Sequence, residues 1–191
     1  MAATPSACNF GWPAPDFELT ATDGKRYTRD RLRCPKGLLV MFICNHCPFV
    51  KAVLDKIVRD ARDLEPHGIG SVAICSNDAA DYPEDSFENM KALAERMRFP
   101  FPYLWDETQA VAKSYGAVCT PDFFGFNAAL ELQYRGRLDD AGRAPKPDAP
   151  RELYAAMLEV ARAGRGPSQQ TASIGCSIKW RREPPGAGPR A

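Results

Sequence analysis

Apolar positions in the chain follow two different periods, and together they predict an α/β fold. Apolar and polar residues alternate on both sides of Asp23-Gly24, which is typical of a β-hairpin. Continuous apolar runs at 37–44 and 71–75 predict strands that are covered on both faces. Between these runs, apolar residues recur at helical spacing from Pro48 to about Glu65. The three segments predict a β-α-β unit with parallel strands.

The second half of the chain continues this alternation of elements. The apolar spacing predicts two helices, then a pair of strands with a turn at Ala128-Ala129, then a last helix. These helices cover about 87–97, 107–115 and 151–163, and the strands lie in DFFGFN and LELQYRG. We therefore expect one domain over residues 1–165, followed by a Gly-, Pro-, Ser- and Arg-rich tail over 166–191. Residues 174–180 of that tail are too apolar to be simply solvated, so we expect them to dock on the domain.

Composition limits the classes of partner and the cellular compartment. The chain has 191 residues, 45% hydrophobic and 26% charged, with a net charge of +1. This charge gives no field that would attract nucleic acid or a membrane surface. The N-terminus lacks the basic and apolar regions of a secretory signal, and no apolar run is long enough to span a bilayer. Seven cysteines, an odd number, suit a reducing compartment, so we expect a cytoplasmic protein.

The candidate chemistry lies in the stretch C-N-H-C-P, residues 44–48. Two cysteines three residues apart are not specific by themselves, because they occur in redox centres and in zinc sites alike. Their position is more informative, since they follow the first buried strand and precede the amphipathic helix. Ligands and reactive groups collect at this edge of open α/β sheets. The context favours a redox centre over half of a zinc site.

The order of elements and motifs resembles the thioredoxin fold. A hairpin, a β-α-β unit with C-x-x-C at its turn, a later Thr120-Pro121, a strand pair and a final helix carry this resemblance. More narrowly, PAPDFELTATDGK and the insertion before Thr120-Pro121 resemble the alkyl hydroperoxide reductase and thiol-specific antioxidant branch of the redoxins. Within that branch, the chain is similar to the peroxiredoxin-like proteins that carry a thioredoxin-type C-x-x-C and a G-C-S-I-K-W tail. The resemblance implies a three-layer fold with a central mixed sheet flanked by helices, an N-terminal hairpin and an insertion before a cis-proline loop.

Two departures from the related patterns bear on mechanism. Leu38 stands where thioredoxin has a buried acid, so the acid has no evident replacement in the sequence. Against the peroxiredoxin pattern P-x-x-x-[TS]-x-x-C, Cys47 aligns with the peroxidatic cysteine and Cys44 replaces the Thr or Ser. Val40 replaces the proline, and the active-site arginine has no counterpart that the sequence identifies.

The motif predicts a division of roles between its cysteines. Cys44 is expected to be exposed at the strand end and to act as nucleophile, with Cys47 as the resolving thiol. A helix N-terminus lowers a thiol pKa by at most about 1.5 units. Asn45, His46 and Pro48 are expected to tune the site. His46 occupies the slot of the histidine in strongly oxidising C-P-H-C proteins, which gives the hypothesis that this protein is more oxidising than thioredoxin. A reduction potential at or below that of thioredoxin would contradict it.

Three further positions follow from the resemblance. Thr120 and Pro121 would form the cis-proline loop and bind an extended peptide by strand addition. Cys176 is a candidate third redox cysteine, against the simpler interpretation of a small hydrophobe docked with the tail. The remaining cysteines are expected to be structural, namely Cys8, Cys34, Cys75 and Cys119.

Four functions stay open at this point. The first is a thiol-disulfide oxidoreductase without cofactor that cycles Cys44 and Cys47, acts on a protein disulfide or a small oxidant, and uses a thiol reductant such as thioredoxin or glutathione. The second is a thiol peroxidase in which Cys47 becomes a sulfenic acid that Cys44 resolves. The third is a copper- or zinc-binding module, although one C-x-x-C with only His46 and His67 supplies few ligands and no metal is expected. A non-enzymatic interaction domain is the least favoured alternative.

Overall fold

The structure is a computed structural model that describes residues 2–6, 8–142, 146 and 148–182. Ten strands and five α-helices are assigned within this part of the chain. The strands are β1 (Ala2–Ala3), β2 (Glu18–Ala21), β3 (Arg26–Thr28), β4 (Gly37–Phe42), β5 (Ile69–Cys75), β6 (Tyr103–Trp105), β7 (Cys119–Thr120), β8 (Asp122–Asn127), β9 (Leu132–Tyr134) and β10 (Gly175–Ser177). The helices are α1 (Arg29–Leu32), α2 (Pro48–Leu64), α3 (Phe87–Met97), α4 (Ala110–Tyr115) and α5 (Glu152–Ala163).

A mixed central sheet organises the molecule. Its strands follow the orders β3-β2-β6-β5 and β4-β8-β9. These two parts meet where β4 lies beside β5, and Ile43 N just beyond β4 donates to Ile74 O at 3.0 Å. The pair β5 and β6 is parallel, whereas β4 with β8 and β8 with β9 are antiparallel. The mixed α/β architecture flanked by helices is the fold that the resemblance implied.

The central strand β4 explains why the core has two halves. All six of its residues are buried, because alternate side chains point to opposite faces and both faces are covered. Leu39 and Met41 pack on the side that carries α2, α3 and α5. Leu38, Val40 and Phe42 pack on the other side, against α4 and the N-terminal segment. The uninterrupted apolar run therefore predicted this strand correctly.

The local elements agree with the sequence patterns, with two differences in length. The hairpin β2-β3 is present, but its connection is longer than two residues, because β2 ends at Ala21 and β3 begins at Arg26. Gly24 adopts φ +81° in this turn, a conformation that favours glycine. Helix α4 begins only at Ala110, after Gln109 in a left-handed conformation. The short strand β6 was not predicted, because three residues are too few to show a period.

The C-terminal segment is packed on the domain. Strand β10 lies between β1 and β7 and pairs antiparallel with both. Ile178 is buried, and the backbone of Lys179 bonds to Asn77, Asp78 and Gln109. Residues 183–191 of the predicted tail lie outside the described residues.

Within the part of the chain that the structure describes, no helix combines the length and apolar character needed to cross a membrane.

Candidate active site

The two motif cysteines lie where β4 gives way to α2. Cys44 follows the strand, and Cys47 is the N-cap residue of α2, whose first helical residue is Pro48. Proline suits this position because its fixed φ fits a helix and its missing N–H would have no partner there. The first turn of α2 therefore begins directly at Cys47, whereas Cys44 lies in the loop before it.

Thr120 holds both sulfurs from the opposite side of the site. Its peptide bond to Pro121 is cis, as the resemblance implied. The Thr120 hydroxyl lies 3.2 Å from Cys44 Sγ, and the Thr120 carbonyl oxygen lies 3.1 Å from Cys47 Sγ. One residue of the cis-proline loop thus contacts both reactive sulfurs.

The expected exposure of Cys44 is wrong. Both Cys44 and Cys47 have 0% relative exposure. The reason is tertiary, because Thr120, the loop that contains Asp85 and strand β10 all pack over the strand end. A position at the end of a strand does not by itself predict access when distant segments cover it.

The electrostatics of the pair favour a thiolate on Cys47. A hydrogen bond from the Cys44 thiol lowers the pKa of Cys47 to about 4, and it outweighs desolvation, which raises that pKa. The Cys176 thiol and the backbone N–H groups of Val50 and Cys176 lower it further. The same hydrogen bond to Cys47, followed by burial and the Asp85 charge, raises the pKa of Cys44 well above its usual value. The reduced pair therefore carries one charge, and its proton remains on Cys44.

Asp85 is a site residue that sequence reasoning missed. Its carboxylate is fully buried, and Oδ1 accepts from the backbone N–H groups of Asn45 at 2.7 Å and His46 at 3.2 Å. Oδ2 lies 2.6 Å from His46 Nδ1 and accepts from Asn77 Nδ2 at 2.7 Å. The residue belongs to the insertion after β5, about forty positions from the motif. An acid in a polar loop such as SNDAADYPED looks solvated in the sequence, and no period marks it as buried.

Aromatic contacts orient the two residues between the cysteines. His46 stacks on Tyr82, with ring centroids 5.2 Å apart and planes 11° from parallel. Asn45 Oδ1 accepts from the Tyr103 hydroxyl at 3.1 Å, and its amide donates to Glu84 O at 2.9 Å. The predicted tuning residues are therefore fixed by the insertion and by β6.

Cys176 is the third cysteine in the site. It pairs with Thr120 in the antiparallel register of β10 and β7, so its backbone faces the cis-proline loop. Its thiol interacts with Cys47 and is partly exposed. Burial, and next the hydrogen bond to Cys47, raise the pKa of Cys176 to about 11. Thr120 and Pro121, predicted to bind a substrate peptide, thus have a segment of the same chain along their strand edge.

A small apolar cavity of about 200 Å³ adjoins the cis-proline loop. Phe49, Val53, Pro121, Phe123 and Ile174 supply its apolar lining, and Arg137 and Asp139 lie at its polar side. The cavity is large enough for one apolar side chain beside Pro121.

Three side chains could hold a metal ion. Cys44, His46 and Asp85 place potential ligand atoms within 4.8 Å of one another. A thiolate, an imidazole and a carboxylate would suit zinc, but three ligands are one fewer than a structural zinc site uses. Asp85 is also committed to several hydrogen bonds, so the arrangement fits a hydrogen-bonded redox site without rearrangement.

The buried side chain of Arg135 is engaged by groups other than the two motif cysteines. Arg135 Nη2 lies 3.2 Å from Asp122 Oδ2 and also bonds to Gly116 O, while Nη1 bonds to Ser6. Burial raises the pKa of Asp122 to about 6, although Arg135 lowers it. This ion pair stabilises the strand that follows Pro121. The groups that lower the pKa of Cys47 are therefore the cysteine thiols and backbone N–H groups described above.

Comparison with known proteins places the chain among redox proteins. The AhpC/TSA family matches residues 10–138. An uncharacterised conserved protein from Geobacillus kaustophilus is 46% identical, with a TM-score of 0.89 over 96% of this chain and 98% of that one. Among curated proteins, none is significantly similar.

Two structures at lower identity share the fold. Peroxidoxin BcpB from Mycobacterium tuberculosis is 18% identical, with a TM-score of 0.61 over 84% of this chain and 100% of that one. A thiol:disulfide interchange protein of the thioredoxin family from Chlorobium tepidum is 18% identical, with a TM-score of 0.58 over 82% and 97%. The family match extends over more than half of the sequence, and the fold and the paired cysteines are consistent with it: the chain belongs to the AhpC/TSA family.

Proposed function

We propose that this protein is a thiol-disulfide oxidoreductase that cycles Cys44 and Cys47 between dithiol and disulfide. The observation that supports this most strongly is that Thr120 contacts both sulfurs, and that the hydrogen bond between the cysteines lowers the pKa of Cys47 and raises that of Cys44. Such a pair holds its attacking and resolving groups in contact before a substrate arrives. Neither the oxidation of this pair to a disulfide nor its reduction requires a metal or an organic cofactor.

The charge distribution reverses the roles expected from the sequence. The Cys47 thiolate attacks a sulfur of the substrate disulfide and releases the other substrate sulfur as a thiolate, which takes up a proton. Cys44 then loses its proton and attacks Cys47, so that the mixed disulfide breaks, the Cys44-Cys47 bond forms and the second substrate thiol leaves. Two electrons pass to the substrate, and the pair is oxidised.

Asp85 and His46 serve the second step in this proposal. The Asp85 charge raises the pKa of Cys44 and keeps it protonated while Cys47 is the thiolate. When Cys44 must ionise, the His46 ring, held 2.6 Å from Asp85 Oδ2, is a nearby polar group for its proton. Asp85 is a positioning residue for this transfer, and it takes over the place of the buried acid that Leu38 leaves vacant.

A protein disulfide or a small oxidant is the proposed partner on the oxidising side, with a thiol such as thioredoxin or glutathione on the reducing side. The apolar cavity beside Pro121 supports a peptide substrate, since it fits one apolar side chain next to the cis-proline loop. The net charge of +1 gives no support to nucleic acid or membrane binding.

Single-cysteine trapping tests the proposal. Glutathione disulfide is added to Cys44→Ser and Cys47→Ser proteins, each with Cys176→Ser so that the third cysteine cannot resolve the adduct. We expect a stable glutathione adduct on Cys47 in the first protein and slow, weak labelling of Cys44 in the second. Rapid labelling of Cys44 with an inert Cys47 would restore the roles expected from the sequence. No adduct in either protein would overturn the oxidoreductase function.

A thiol peroxidase is the second candidate, and one observation favours it. The low-pKa sulfur is Cys47, at the first turn of α2, which is the position that aligns with a peroxidatic cysteine. The same Cys44→Ser, Cys176→Ser protein separates the two activities. One equivalent of hydrogen peroxide would leave a sulfenic acid on Cys47 within seconds if the protein is a peroxidase. Fast reaction with glutathione disulfide and slow reaction with peroxide support the oxidoreductase.

A further inference from the structure

Strand β10 occupies the edge that an extended substrate peptide would use. It pairs antiparallel with β7, with Cys176 opposite Thr120 and Ser177 opposite Cys119. Strand addition is a common way for a sheet edge to bind a peptide, because backbone bonds give affinity and alternate side chains give specificity. The C-terminal segment therefore lies on the cis-proline loop in the manner of a bound peptide.

The approach of β10 to this loop is unusually close. A Cβ atom on Gly175 would lie 2.2 Å from Thr120 O and 3.1 Å from Pro121 N, both of which are backbone atoms. Only glycine fits at this point without a shift of one strand. The next residue, Cys176, is thereby held against Cys47. Both the thiol and the backbone N–H of Cys176 interact with the sulfur of Cys47.

Access to solvent differs among the three sulfurs. Cys44 and Cys47 have 0% relative exposure, whereas Cys176 is partly exposed. A thiol reductant must reach a sulfur along the S–S axis, so a disulfide between the two buried cysteines is poorly accessible in this conformation. A disulfide that includes Cys176 presents one sulfur at the surface.

We infer that Cys176 is a third exchange cysteine, which carries the disulfide from the buried Cys44-Cys47 pair to the surface of the protein. This inference rests on the proposed oxidoreductase function, because that function supplies the Cys44-Cys47 disulfide. Strand β10 is then the internal substrate of the site, and an external thiol reduces the protein at Cys176.

The exchange step needs no further oxidant. The Cys176 thiolate attacks Cys47 in the Cys44-Cys47 disulfide, the Cys47-Cys176 bond forms and the Cys44-Cys47 bond breaks. Cys44 leaves as a thiolate and takes up the proton that Cys176 lost, so neither electrons nor protons are gained overall. An external thiolate then attacks Cys176 and releases Cys47, and a second thiol completes the reduction.

The titration of Cys176 is compatible with this step. Part of the upward shift in its pKa comes from the hydrogen bond and charge of the Cys47 thiolate. That charge is absent once Cys47 is in a disulfide, while Lys179 continues to lower the pKa. Cys176 is therefore a better nucleophile in the oxidised protein, where it is needed, than in the reduced one.

Peptide mapping gives a direct test. Trypsin places Cys44 and Cys47 in peptide 37–51, Cys119 in 114–135 and Cys176 in 166–179. The Cys44→Ser protein is treated with glutathione disulfide, blocked with an alkylating reagent, digested and analysed without reduction. We expect peptide 37–51 linked to 166–179, through Cys47 and Cys176, with an unchanged yield in a Cys44→Ser, Cys119→Ser control. Glutathione that stays on Cys47 without this link would overturn the inference.

Reduction kinetics of the full chain give the second test. Wild-type and Cys176→Ser proteins are oxidised to the Cys44-Cys47 disulfide and then reduced with glutathione. We expect Cys176→Ser to slow reduction by about tenfold or more, since exchange depends on access to the attacked sulfur. The Cys119→Ser control should match wild type. Equal rates for wild type and Cys176→Ser overturn the inference while the proposed function stands, whereas failure to form the Cys44-Cys47 disulfide would overturn both.

Discussion

The pH dependence of the reduction potential tests the site's electrostatics most directly. In the structure, the pKa of Cys47 is lowered to about 4 and that of Cys44 is raised well above its usual value. Between these limits the reduced form is one thiolate and one thiol, so reduction of the disulfide takes up two electrons and one proton. Two ordinary thiols would take up two electrons and two protons.

This difference has a defined magnitude. For a two-electron couple, each proton taken up contributes about 30 mV per pH unit. We therefore expect the potential to fall by about 30 mV per pH unit from pH 5.5 to 8, against about 59 mV for a pair of protonated thiols. The slope depends only on the number of protons that the pair as a whole takes up on reduction.

The assay is equilibration with a dithiol couple of known potential at each pH, followed by alkylation and mass measurement of the Cys44-Cys47 peptide. Cys176→Ala should raise the pKa of Cys47, because it removes a thiol that stabilises the thiolate. A slope near 59 mV per pH unit in wild type between pH 6 and 8 would refute the assignment of a thiolate to this site.

Three other predictions concern groups around the pair. Asp85→Ala leaves several buried donors without an acceptor, so we expect the free energy of unfolding to fall by about 3 kcal/mol and Tm to fall by about 6 °C or more. The control Glu84→Ala, at an exposed position, should change both values little. Gly175→Ala brings a Cβ within 2.2 Å of a backbone oxygen and should displace β10. Cys47 should then react faster with iodoacetamide than it does in a Ser177→Ala control. An unchanged rate would mean that the close approach of Gly175 to Thr120 does not hold β10 in place. For Asp122, the folded-state pKa is about 6 against an ordinary 3.8, so the folded protein binds this proton more tightly than the unfolded chain does. The stability that this proton contributes is lost as the pH rises from about 4 to 6. Measured by urea unfolding, the free energy of unfolding of Asp122→Asn relative to that of wild type should rise by up to about 3 kcal/mol between pH 4 and 7. A difference in unfolding free energy that does not change with pH would disprove the raised pKa of Asp122.

The sequence predicted those parts of the fold that depend on local periods. The apolar run of β4 and the helical spacing of α2 are strong signals, because a buried strand and an amphipathic helix differ over many positions. Pro48 fixed the helix start to the residue. The hairpin around Gly24 was also evident, although its turn length was not, since loop geometry depends on a few backbone angles.

The sequence could not show which distant segments cover the site. Cys44 looks exposed when only its place at a strand end is considered, and it is buried, with Thr120 and Asp85 against it and Cys176 of β10 against the neighbouring Cys47. The contacts of Asp85 with the motif join residues about forty positions apart. A buried carboxylate carries no periodic signal, so only the tertiary structure identifies it. The expectation that Cys44 is the nucleophile depended on its exposure, and because both cysteines are buried, the proposed roles depend on the charge distribution instead.

The position of the acid connects the insertion with the redox motif. Leu38 lies in the fully buried strand β4, where a carboxylate would need several donors that an apolar core does not supply. The segment after β5 supplies these donors to Asp85. Its carboxylate accepts from Asn77 of the same segment and from the backbone N–H groups of the motif itself. The same segment supplies Tyr82, whose ring stacks on His46 and faces Lys179 of the C-terminal segment at 5.5 Å. Acid, motif and docked tail thus share one set of contacts, which links the position of the C-terminal segment to the surroundings of His46.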